Sequence, residues 1–69
     1  MRSKEVNRII EAKGGVHVRT KGSHRRYRVT ANGVTASTSV QQHSGDIPKG
    51  TLGAIERDLE PALGKKWLQ

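Results

Sequence analysis

Asn32-Gly33 sits between two stretches of alternating side chains, and this one feature limits what the chain can become. Asn-Gly is the dipeptide that most readily takes the positive φ angles of a two-residue hairpin turn. Before it, residues 24–30 read His-Arg-Arg-Tyr-Arg-Val-Thr; after it, residues 34–40 read Val-Thr-Ala-Ser-Thr-Ser-Val. Strand side chains change face with a period of two. Tyr27 and Val29 therefore share one face with Val34, Ala36, Thr38 and Val40. His24, Arg26 and Arg28 share the other with Thr35, Ser37 and Ser39. The pattern predicts an antiparallel hairpin with one apolar face and one basic, hydroxyl-rich face.

A third strand is predicted ahead of this hairpin. Val16-His17-Val18-Arg19-Thr20 also alternates, with Val16 and Val18 expected inward and His17, Arg19 and Lys21 expected outward. The inward positions are even-numbered in this strand and odd-numbered in the next. Facing pairs then sum to an odd number, and the connecting loop holds two or four residues unless a bulge intervenes. Either length leaves His24 at the hairpin end, where it is reachable, and His17 well down its own strand, out of contact with it.

Helical spacing flanks the strands. Residues 3–13 carry Val6, Ile9 and Ile10 with the stem of Lys13 as one apolar stripe, leaving Lys4, Asn7, Arg8 and Glu11 toward water. Ser3 is the expected N-cap, Glu5 suits the first turn, and Gly14-Gly15 ends the helix. Residues 41–45 read as a polar loop. Asp46 is the expected cap of a second helix, with Pro48 in its first turn and Leu52, Ile55, Leu59 and Ala62 or Leu63 as its stripe. Pro61 is expected to kink or end it before Gly64, and Trp67 to pack back onto the domain. The order is helix, three antiparallel strands, helix. This is an α+β fold in which both helices cover the one apolar sheet face. Residues 1–69 read as a single domain, with 65–69 as a basic C-terminal tail.

Composition narrows the chemistry. With no Cys, no Phe, one Trp and one Tyr, the core must be built from Val, Ile and Leu, and no disulfide or thiolate metal site can staple it. A net charge of +7 and a pI near 10.6 call for a polyanionic partner. No apolar run approaches a membrane span and no signal peptide is visible, so no membrane is expected and a cytoplasmic location is. The three histidines, at 17, 24 and 43, lack metal-ligand spacing. Lys21-Gly22 and Lys49-Gly50-Thr51 lack the spacing of a phosphate loop. Neither a metal nor a cofactor is expected. Asp46, Glu56, Asp58 and Glu60 are explained by capping and solvation. Ser23 directly precedes His24, which puts the two on opposite faces of an extended segment and disfavours a serine-hydrolase arrangement.

RNA cleavage asks for less than these. The 2′-hydroxyl is an internal nucleophile, so a protein need only hold the phosphate, take a proton and offset negative charge. Imidazole is the side chain that exchanges protons near neutral pH, and arginine and lysine hold phosphates. His24 with Arg19, Lys21, Arg26 and Arg28 supplies that set. The same residues would equally serve a non-catalytic RNA-binding module, which would not need His24. His17 and His43 read as solvated surface positions.

Three stretches together resemble a known family. They are Ser3-Lys4-Glu5-Val6, the Lys21-Gly22-Ser23-His24 turn leading to Tyr27, and Asp46-Ile47-Pro48-Lys49-Gly50-Thr51-Leu52. They look like the corresponding segments of HicA toxins from bacterial toxin–antitoxin pairs, over roughly residues 1–60. The resemblance implies a double-stranded-RNA-binding-domain-like (dsRBD-like) fold and metal-independent cleavage of mRNA. It implies that His24 is the catalytic residue and that a HicB-type antitoxin blocks the site. The candidate RNA contacts are Arg19, Lys21, Ser23, Arg26, Arg28 and Lys49.

Overall fold

The computed structural model describes residues 1–42 and 44–69, so His43 and what was expected of it lie outside the described residues. The chain runs α1 (Ser3–Ala12), β1 (Val16–Lys21), β2 (His24–Ala31), β3 (Val34–Gln41) and α2 (Lys49–Leu63). The sheet is antiparallel in the order β1-β2-β3. This is the expected α-β-β-β-α order.

Turn chemistry sets the strand lengths. Asn32 and Gly33 both take positive φ, 54° and 75°, and close the β2–β3 hairpin on the pair Ala31↔Val34. The β1–β2 turn is Gly22-Ser23, with φ 60° at Gly22 and the closing pair Lys21↔His24. At the end of α1, Gly14 at φ 93° donates its N–H to Glu11 O and Gly15 donates to Ile10 O, which together form a Schellman cap.

The two helices lie on one face of the sheet. Tyr27 and Thr38 are cross-strand partners on that face; the Tyr27 hydroxyl donates to Glu11 of α1, and Thr38 Oγ1 donates to Asp58 Oδ2 of α2 at 2.9 Å. Between the layers sit Val6 and Ile10 of α1, Tyr27 and Val29 of β2, Ala36 and Val40 of β3, and Ile55, Leu59 and Ala62 of α2. Trp67 and Leu68 close the far edge. The Trp67 indole N–H donates to Glu56 O at 2.7 Å, so the C-terminal tail folds back onto α2 as expected. Pro61 lies inside the last turn of α2, which ends three residues later at Gly64, φ 86°.

Five local expectations fail, each for a stated reason. Val16 and Val18 do not point inward: they are 56% and 46% exposed, and every residue of β1 is exposed. The register shifts between His17 and Arg19, so a bulge at Val18 reverses the faces below it. His17, expected outward, consequently stands opposite Tyr27 on the helix side, with ring centroids 5.7 Å apart. Asn7, expected in water, is buried because its amide pairs with that of Gln42. Ser3 is not the N-cap: α1 starts after Arg2, whose N–H is taken by Glu5 Oε1 at 3.1 Å. Asp46 caps nothing, because it forms a bridge with Arg2 and an ion pair with the N-terminal amine at 3.6 Å, while Ile47 N–H donates to Met1 O. The segment before α2 is thus zipped to the start of α1, and Pro48 becomes the N-cap of α2.

Candidate nucleic-acid interface

The sheet face away from the helices is open, and its register orders the functional side chains into rows. Residues paired across an antiparallel ladder point to the same side, and adjacent strands are about 4.8 Å apart. At the turn end, Lys21, His24 and Gln41 stand side by side. The next row is Arg19, Arg26 and Ser39, in which Arg26 Nη1 donates to Ser39 Oγ at 3.0 Å. The third is Val16, Arg28 and Ser37, and the last is Thr30 with Thr35, joined through their hydroxyls at 2.9 Å. One exposed imidazole therefore heads a field of four exposed cations: Lys21, Arg19, Arg26 and Arg28.

Of the expected site residues, the fold gathers His24, Arg19, Lys21, Arg26 and Arg28 on this face. Ser23 is in the turn beside it, exposed, with its carbonyl held by Gln42 N–H at 2.6 Å. Lys49 is apart from them. It opens α2 in the helix layer and lines a groove with Met1, Leu52, Glu56 and Leu68. Gln41, expected in the loop, ends β3 directly beside His24. The signal was present: Thr35, Ser37, Ser39 and Gln41 continue one period-two series.

The opposite face of β2 does other work. The Tyr27 hydroxyl donates to Glu11 Oε2 and accepts from Arg25 Nη1 at 3.1 Å, and Arg25 also pairs with Glu11 at 3.8 Å. Burial pushes the Tyr27 hydroxyl above its ordinary value of 10.0; the bond to Glu11 adds to the rise and Arg25 opposes it. His17 Nε2 is 2.8 Å from Thr20 Oγ1 on this same side, separated from His24 by the sheet. Among the described residues no group of three His, Asp or Glu side chains converges as a metal site would require, and no helix is long and apolar enough to cross a membrane.

The fold and face together are those of a small α-β-β-β-α domain that leaves one sheet face bare and basic. The comparison with protein families narrows this. Residues 3–60 match the family of HicA toxins of bacterial toxin–antitoxin systems, and the chain belongs to that family. Membership implies a cognate antitoxin as partner. No curated protein and no solved structure matches the chain.

Proposed function

We propose that this toxin is a metal-independent endoribonuclease that cleaves mRNA in the cytoplasm, with His24 as general base, and that a HicB-type antitoxin neutralises it. The observation that carries the reading is the row Lys21, His24, Gln41 on an open face, backed by the row Arg19, Arg26, Ser39. A phosphodiester laid across these rows meets the imidazole and fixed cations from one side. His24 takes the proton from a ribose 2′-hydroxyl, and the 2′-oxygen bonds to the adjacent phosphorus. The bond to the 5′-oxygen breaks, leaving a 2′,3′-cyclic phosphate. The departing 5′-oxygen takes its proton from the imidazolium just formed. Arg26 offers five N–H donors and gives one to Ser39, so donors remain for a phosphate oxygen whose charge builds in the transition state. Lys21 and Arg19 hold the flanking backbone, and Ser23 and Lys49 extend the contact beyond the sheet.

The test is His24→Ala. The side chain is exposed on the outer face, so the variant should fold, bind RNA as the wild type does, and neither cleave transcripts nor arrest growth when induced in bacteria. A His24→Ala protein that still cleaves refutes the mechanism. A wild type that binds RNA and never cuts it supports a non-catalytic RNA-binding module instead.

A further inference from the structure

We infer that Asn7 and Gln42 form a strut that positions His24, so that Asn7, in a helix on the far side of the sheet, is a positioning residue for cleavage. The inference rests on His24 being the base.

Asn7 is the anomaly that leads there. It is 6% exposed, on a helix whose other buried side chains include Val6 and Ile10. Asparagine is a poor helix former, and a buried amide is unfavourable unless its donor and acceptor are both satisfied. Both are satisfied by one residue. Asn7 Nδ2 donates to Gln42 Oε1 at 2.8 Å, and Gln42 Nε2 donates back to Asn7 Oδ1 at 3.2 Å. Gln42 Nε2 also donates to Val40 O at 3.0 Å. The glutamine side chain is therefore held by α1 at one end and by β3 beneath it.

What this fixture holds is the peptide that carries His24. Gln42 follows Gln41, the cross-strand partner of His24, and its own backbone N–H donates to Ser23 O at 2.6 Å. That carbonyl belongs to the Ser23–His24 peptide bond. The same plane carries the His24 N–H, and His24 stands in the ladder between Lys21 and Gln41. The Ser23 carbonyl is the plane's other end, in a turn with Gly22 at positive φ and an exposed serine, and Gln42 holds it there. Asn7 clamps Gln42, Gln42 clamps the Ser23 carbonyl, and the plane so fixed sets where the His24 side chain leaves the backbone. An apolar residue at position 7 would satisfy the core better, yet it would free Gln42. Side chains kept against local preference in this way are expected where geometry matters more than stability.

Asn7→Leu is the informative variant, because removing a buried amide leaves the core no less apolar. Two measurements are made on it. Hydrogen exchange of the Gln42 amide should speed up relative to the amides of β2. Steady-state cleavage of an RNA oligonucleotide should show kcat lowered about 10-fold, since small misplacements of a reacting group are that damaging, while KM stays put because the basic rows are untouched. The double exchange Asn7→Gln with Gln42→Asn, which keeps the paired amides, should recover most of kcat. Unchanged Gln42 exchange overturns the strut. Faster exchange with unchanged kcat overturns the positioning role. A fall in kcat matched by a lower melting temperature and not recovered by the double exchange also overturns it, since a merely structural role would do the same. If the wild type cuts no RNA, the nuclease reading and with it the positioning role fall, and the exchange measurement still decides whether the strut exists.

Discussion

Tyr27→Phe separates what holds this domain together from what it does. The ring is fully buried, and phenylalanine keeps its packing. Only the hydroxyl goes, and with it the bond donated to Glu11 and the bond accepted from Arg25. Hydrogen bonds to charged groups contribute about 1.5–3 kcal/mol when the partners stay dry. Here the Glu11 and Arg25 side chains are 48% and 33% exposed, so both can turn to water, and the lower end applies. A loss of about 1.5 kcal/mol in a domain of this size lowers Tm by about 6–12 °C. Thermal unfolding followed by circular dichroism at neutral pH measures it. The same variant carries a pH signature. The raised Tyr27 value means that, just above the ordinary value of 10.0, the unfolded chain has lost this proton while the folded chain keeps it. The stabilisation is thus complete below pH 10 and declines as pH rises through the folded value. Tyr27→Phe lacks the decline, so its Tm deficit should shrink in alkali. A deficit under about 2 °C at neutral pH, or one that stays constant to about pH 11, refutes the network's contribution.

RNA affinity should fall steeply with salt, with a slope of about 0.7 per contacted phosphate, and Arg26→Ala should remove about one such increment without lowering Tm; affinity indifferent to salt would place RNA elsewhere. If its carboxylates pair with some of Arg19, Arg26, Arg28 and Lys49, addition of the cognate antitoxin should stop cleavage and shift the backbone NMR signals of residues 19–28; inhibition without movement of those signals refutes masking.

The order of elements was legible because each segment carries one clean period: 3.6 in the helices, two in β2 and β3, with Asn32-Gly33 between. β1 misled for a definite reason. Its sequence alternates perfectly, yet a bulge at Val18 changes the faces on one side of it, and nothing in a period-two pattern announces an extra residue. His17 then reads as outward when it packs beside Tyr27. Asn7 misled differently: its burial is created by Gln42, 35 positions away, and local polarity cannot report a distant partner. Asp46 looked like a cap because capping is local, whereas its bridge to Arg2 is not. His24 and its arginines were legible because β2 keeps strict alternation from end to end. Lys49, a candidate contact from the Asp46–Leu52 stretch, lies in the helix layer, away from those rows.

The sheet's two faces divide the labour, and β2 is where they meet. Its inward residues Tyr27 and Val29 are fully buried, and its outward residues His24, Arg26 and Arg28 are all exposed. A chain without disulfides and with few aromatics cannot spend core positions on a cleft. Both helices are needed on one side, and the other side is left bare by necessity. β1 shows the consequence most plainly: it adds no buried side chain, yet supplies Arg19 and Lys21 to the rows beside Arg26 and His24. It is held by backbone pairing, and its bulge sends Arg19 and Lys21 outward while His17 turns to Tyr27. Outer-face substitutions should therefore leave stability nearly alone. The core reaches the outer face through the backbones of the strands, and α1 reaches it as well through Gln42, whose N–H holds the peptide before His24. The first route is shared by every residue of the sheet. The second ends at the peptide that carries His24, which is the ground for testing a buried amide in α1 for an effect on the opposite side of the molecule.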